Sequence, residues 1–83
     1  MDYAIVTIRL PEGARQIDME LPVKMRVEEL LVRIRRVLSE YDGSLAWEHN
    51  ALELRWQGKI LNTGMTMSDY QIWDGSVLDL VLA

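Results

Sequence analysis

One stretch of this chain has helical period, and nearly everything around it has period two. Val27, Leu30, Leu31, Ile34, Val37 and Leu38 fall at i, i+3, i+4, i+7, i+10 and i+11. That is one apolar helical face sustained for about three turns. A lone amphipathic helix has no second helix to pack on, so strands must cover it. The rest of the chain has to supply a sheet with one apolar face.

Ala4, Val6, Ile8 and Leu10 alternate with Ile5, Thr7 and Arg9, which predicts a strand over 4–10. Pro11-Glu12-Gly13 is turn chemistry. Gln16 to Leu21 alternates again, with Ile17, Met19 and Leu21 on one face, and Pro22 ends it. Two such strands around a short Pro/Gly turn predict a β-hairpin. After the helix, which should stop between Ser39 and Gly43, residues 40–50 read as a loop with room for one helical turn. Leu52, Leu54 and Trp56 mark a third strand, Ile60-Leu61 a short fourth, and Val77 to Leu82 the last. Asn62 to Asp74 is a turn-rich crossing. Residues 1–83 thus form a single α+β domain: a mixed sheet of four to five strands packed on one main helix. Glu28 and Glu29 suit the start of the helix and Arg33, Arg35 and Arg36 its later part. No side chain before Val27 is a good N-cap, so the helix start is open by a turn.

At 83 residues there is room for one core only. The chain has no cysteine and one histidine, His49, which excludes disulfides, a thiol nucleophile and a thiolate or multi-histidine metal site. His49 has no Ser, Cys or Asp at a recognisable spacing and reads as a loop residue. No nucleophile–base or metal constellation appears, so a non-enzymatic chain with no cofactor is expected. Net charge is −4, a poor balance for nucleic acid or anionic membrane. No signal peptide is visible after Met1, and no apolar run approaches the ~20 residues of a span. The expectation is a cytoplasmic domain without direct membrane insertion.

The charge is uneven. Residues 24–36 carry five basic and two acidic side chains, while 37–83 carry two basic and seven acidic. Arg26, Arg33 and Arg36 fall on one helix flank with Glu29 between. That flank is either a solvated face or a docking edge for an acidic partner. Ile5 and Val81 fall on the outward set of the sheet, Trp73 in a turn and Trp47 in the loop after the helix. Tryptophan outside a core is enriched in interfaces, though Trp47 would equally cover one end of the core. The same sheet face is a candidate for weak self-association.

The C-terminal half is more specific. Leu54-Arg55-Trp56-Gln57-Gly58-Lys59-Ile60-Leu61, then Thr66-Met67-Ser68-Asp69-Tyr70-Gln71-Ile72, then Val77-Leu78-Asp79-Leu80-Val81-Leu82 resembles the second half of ubiquitin, and the ββαββ order agrees. The resemblance implies a ubiquitin-like β-grasp roll. In that fold Ser68-Asp69-Tyr70 caps a helical turn and Tyr70 bonds back to the loop, so its hydroxyls are structural. Leu21-Pro22-Val23-Lys24, the apolar helix and Asp69-Tyr70-Gln71-Ile72 followed by Asp74-Gly75 resemble more closely the YukD/EsaB group. These are small bacterial ubiquitin-like proteins of type VII (WXG100) secretion systems. Their function implies an unconjugated accessory or regulatory component. The implied partner is a protein, the cytosolic part of the secretion ATPase or of a membrane subunit, with recruitment to the inner face of the membrane.

Two departures from ubiquitin bear on this. The sequence stops at Leu82-Ala83 without a diglycine tail, which a covalent modifier or sulfur carrier needs; that reading requires a chain truncated before its tail. A domain clipped from a membrane secretion subunit is the other alternative. Arg55 and Asp79 occupy positions that align with ubiquitin's apolar binding patch, and their outward alternation predicts that they pair across neighbouring strands. The tripeptides Trp56-Gln57-Gly58 and Trp73-Asp74-Gly75 share letters with secreted WXG100 substrates, but they lie among strands and turns and read as turn chemistry.

Overall fold

The computed structural model describes residues 2–11, 15–42 and 51–83. Its elements are β1 (Tyr3–Arg9), β2 (Gln16–Pro22), α1 (Val27–Asp42), β3 (Leu52–Trp56), β4 (Lys59–Ile60) and β5 (Val77–Leu82). The sheet order is β2-β1-β5-β3-β4. β1 runs parallel to β5, and every other pair is antiparallel. The expected mixed five-stranded sheet on one helix is therefore present.

Strand alternation sets which face is dry. Ala4, Val6 and Ile8 of β1, Met19 and Leu21 of β2, Leu52 and Leu54 of β3, and Leu78 and Leu80 of β5 are buried. They meet Val27, Leu30, Ile34 and Leu38 of α1, each fully buried. Leu31 only flanks this core, and Val37 is exposed, although both share the apolar pattern. At 3.6 residues per turn Val37 sits about 80° round the helix from Val27, at the edge of the buried face.

The Leu10 N–H donates to the Arg15 carbonyl at 3.0 Å, just beyond the Arg9–Gln16 pairing that ends the β1–β2 ladder. Residues 12–14 of the expected turn lie outside the described residues, as do Trp47, His49 and the rest of 43–50. β4 starts one residue earlier than its sequence pattern suggests. Gln57 and Gly58 both have positive φ, 52° and 79°, as a two-residue type I′ hairpin turn requires. That turn pairs Trp56 with Lys59 and Arg55 with Ile60.

The missing N-cap of α1 is replaced by distant backbone. Val27 N–H donates to the Met65 carbonyl at 2.8 Å and Glu28 N–H to the Thr63 carbonyl at 3.0 Å. Glu29 and Leu30 both donate to the Arg26 carbonyl. Donors that a capping side chain would satisfy are thus held by the crossing segment, which also pairs Thr66 with Arg26 as an antiparallel bridge.

That crossing segment is built from local devices. Thr66 and Asp69 form a reciprocal capping box: Thr66 N–H to Asp69 Oδ2 at 3.0 Å, and Asp69 N–H to Thr66 Oγ1 at 3.1 Å. The turn closes as a Schellman motif, with Ile72 N–H on the Met67 carbonyl and Gln71 N–H on the Ser68 carbonyl. Gln71 takes the left-handed conformation (φ 59°), and Met67 and Ile72 are both fully buried. The hydroxyl of Tyr70 accepts from Asn62 N–H, as its resemblance to ubiquitin implies.

Candidate protein-docking surfaces

Among the described residues, most of those singled out from the sequence lie on two surfaces: the outer face of α1 and the outer face of the sheet.

On the helix, Arg33 and Arg36 are exposed. With Met25, Glu29 and Val32 they border a shallow groove of about 230 Å³. Val32 is 59% exposed, so the groove combines apolar side chains with two arginines and one glutamate. Arg26 stands one residue before the helix and apart from this groove, with Nη1 3.8 Å from Glu28 Oε1. The structure therefore joins two of the three arginines of the expected stripe and adds Met25 and Val32.

On the sheet, one transverse row takes a residue from every strand. The registers place Gln16 beside Arg9, Arg9 beside Asp79, Asp79 beside Arg55 and Arg55 beside Ile60. The expected Arg55–Asp79 ion pair is not the one formed. Asp79 pairs with Arg9 instead: Arg9 Nε to Oδ1 at 2.5 Å and Nη2 to Oδ2 at 3.0 Å. A carboxylate offers one two-oxygen edge to a guanidinium fork, and Arg9 takes it. Hydrogen bonding to Asp79 and its negative charge raise the Arg9 pKa above the ordinary arginine value. Arg55 lies on the other side of Asp79, and its Nε is buried without a hydrogen-bond partner. A groove of about 640 Å³ runs past this row, bounded also by Leu10, Pro11, Val81 and Leu82.

Ile5 and Val81 do not form one patch. In the parallel register Thr7 lies beside Val77, so Ile5 is level with Gly75, six residues before Val81. That separation is about 20 Å at the rise of a strand. Ile5 belongs with Tyr3, Trp73 and Val77, which are 40–53% exposed. Asp74 Oδ1 accepts from Ile5 N–H at 2.7 Å, and Gly75 N–H donates to the Ile5 carbonyl, which docks the Trp73-Asp74-Gly75 turn on β1. Gly75 has φ +86°, so both W-x-G tripeptides serve turns. Trp56 packs on the core as a half-buried strand residue.

Sequence reading missed Arg9, Tyr3, Val77, Met25 and Val32. Arg9 was on the outward set of its strand, but its partner lies 70 residues away. The parallel pairing of the first and last strands is the signal that would have found it. Among the described residues no helix is long and apolar enough to cross a membrane.

Comparison with known proteins bears on these surfaces. The family model described as "WXG100 protein secretion system (Wss), protein YukD" matches residues 3–80. Among solved structures, the ubiquitin-like domain of the Mycobacterium tuberculosis type VII secretion system protein ECCD1 is similar at 27% identity. The alignment covers 98% of this chain and 99% of that one, with a TM-score of 0.75. A de novo designed protein based on ubiquitin is 25% identical over 98% of this chain and 89% of its own, with a TM-score of 0.72. Among curated protein sequences no relative matches. The fold is ubiquitin-like, and the chain belongs to the YukD family of the WXG100 (type VII) protein secretion system.

Proposed function

We propose that the chain is a non-enzymatic protein-interaction module of a type VII secretion machine, acting by non-covalent docking and without conjugation. The observation that carries this reading is the family match across residues 3–80. The surfaces support it. The row that crosses the sheet is charged at its centre, at Arg9, Asp79 and Arg55, which suits charge-guided recognition better than the apolar contact of ubiquitin. The helix groove between Arg33 and Arg36 suits an acidic segment with an aliphatic anchor.

The partners in this reading are the cytosolic parts of the secretion ATPase or of the membrane subunits, which hold the module at the inner face of the membrane. Deleting the gene and measuring export of WXG100 substrates tests the assignment. Altered export, restored by the wild-type gene, is expected; unchanged export counts against it. The similarity to a domain of ECCD1 favours a second reading, in which the same module is the docking domain of a larger membrane subunit. A native mass well above that of these 83 residues would select it.

A further inference from the structure

Arg55 is the unusual member of the transverse row. Asp79 lies between two arginines, and both of its oxygens are engaged by Arg9. Arg55 Nε is left buried with no hydrogen-bond partner. Buried polar atoms in folded proteins are nearly always satisfied, and an orphaned donor on a charged group is costly. Its neighbour across the β3–β4 ladder is Ile60, which has no acceptor in its side chain.

The groove beside it indicates what is missing. Arg9, Arg55 and Asp79 line it together with Leu10, Pro11, Val81 and Leu82. Its volume of about 640 Å³ is comparable to that of clefts that hold a small ligand. Arg9, Asp79 and Arg55 together carry one net positive charge, set in a chain of net charge −4. A polyphosphate or nucleic-acid backbone would meet Asp79, with Glu53 two residues from Arg55 on the same side of β3, and would be repelled. A single carboxylate between aliphatic neighbours meets an unpaired guanidinium and apolar walls.

We propose that this groove binds an aspartate or glutamate side chain of an extended partner segment, with Arg55 as the charged anchor and Val81 and Leu82 holding the adjacent aliphatic residues. The bound carboxylate pairs with the Arg55 guanidinium where it lines the groove and extends the row to an alternating arrangement of charges. This inference rests on the reading of the chain as a docking module. It adds to that reading the chemistry of the partner group and the residue on the sheet that meets it.

The test is a titration of the ¹⁵N-labelled chain with the blocked pentapeptide acetyl-Gly-Leu-Glu-Val-Gly-amide, whose only charge is the side-chain carboxylate. Saturating shifts are expected at the amides of Arg55, Asp79 and Val81, together with movement of the Arg55 Nε–H resonance. Replacing Glu by Gln in the peptide, or Arg55→Gln in the protein, should weaken binding at least fivefold. Arg55→Lys, which keeps the charge but loses the fork, should fall between. The Arg55 Nε–H signal of the wild-type chain reads the contact even if a variant folds poorly. Equal shifts with the Glu and Gln peptides, or an Arg55 Nε–H that stays still, overturn the proposal. Inorganic phosphate that moves the same signals more than the peptide at equal concentration overturns it in favour of a phosphate site. A negative titration leaves the secretion-system assignment standing, because the export assay does not use the peptide.

Discussion

The phenolic oxygen of Tyr70 accepts a hydrogen bond from the backbone N–H of Asn62 at 2.8 Å. This bond closes the crossing segment on itself. Asn62 begins the segment, and its own Oδ1 accepts from Gly64 N–H at 2.8 Å. Thr63 and Met65, which follow directly, hold the N-terminus of α1. One side chain therefore helps to fix the carbonyls that cap a helix more than thirty residues earlier.

Tyr70→Phe keeps the ring and removes the acceptor. The expected loss is about 1 kcal/mol, or roughly 4–8 °C in Tm for a domain of this size. Thermal unfolding followed by circular dichroism measures it. The amides of Asn62, Val27 and Glu28 should also lose protection against hydrogen exchange, because the loop carbonyls would no longer be held.

Thr66 and Asp69 share one capping box, so their energies should not add. Each single change to alanine is expected to cost about 1 kcal/mol. The double variant should cost measurably less than the sum of the two. A chemical-denaturation double-mutant cycle gives the coupling directly.

Gln71 occupies a left-handed backbone conformation (φ 59°) at the end of the Schellman turn, where glycine is the usual residue. Gln71→Gly is expected to stabilise the fold by roughly 0.5–1 kcal/mol, because relief of the steric cost exceeds the added freedom of the unfolded chain. Gln71→Val should be strongly destabilising by comparison. Urea midpoints of the two variants against wild type check the order.

Arg9 offers a control in which little should happen with pH. Its pairing with Asp79 raises its pKa. A raised pKa leaves the arginine's contribution complete below the ordinary arginine range and removes it only at more alkaline pH. Arg9→Gln should therefore shift stability by the same amount at pH 6 and pH 9. Salt should shrink the difference, because the pair is exposed. Unfolding midpoints at low and high salt measure this.

The dry side of the fold was legible because it depends on local period. Val6 and Ile8, Leu78 and Leu80, and Leu30 and Ile34 each follow from alternation or helical spacing, and all are buried. What was not legible depends on pairing between distant segments. Arg9 and Asp79 meet only because β1 and β5 are parallel neighbours in one register. The registers set Asp79 between Arg9 and Arg55, and both of its oxygens go to Arg9, contrary to the expected pair. The N-terminus of α1 was uncertain from sequence for the same reason, since its acceptors are backbone carbonyls of 63 and 65 rather than a local side chain. Val37 shows the opposite limit: it fits the helical period but is exposed.

Docking in a type VII secretion machine is tested most directly by affinity purification of the tagged chain from lysate of its own host, with Arg33→Glu/Arg36→Glu as the paired control. The wild-type chain should recover the secretion ATPase or a membrane subunit. The charge-reversed chain, folded to the same degree by circular dichroism, should recover at least severalfold less. A wild-type purification that contains no secretion component would contradict the assignment, and equal recovery by both chains would remove the helix groove as the docking edge.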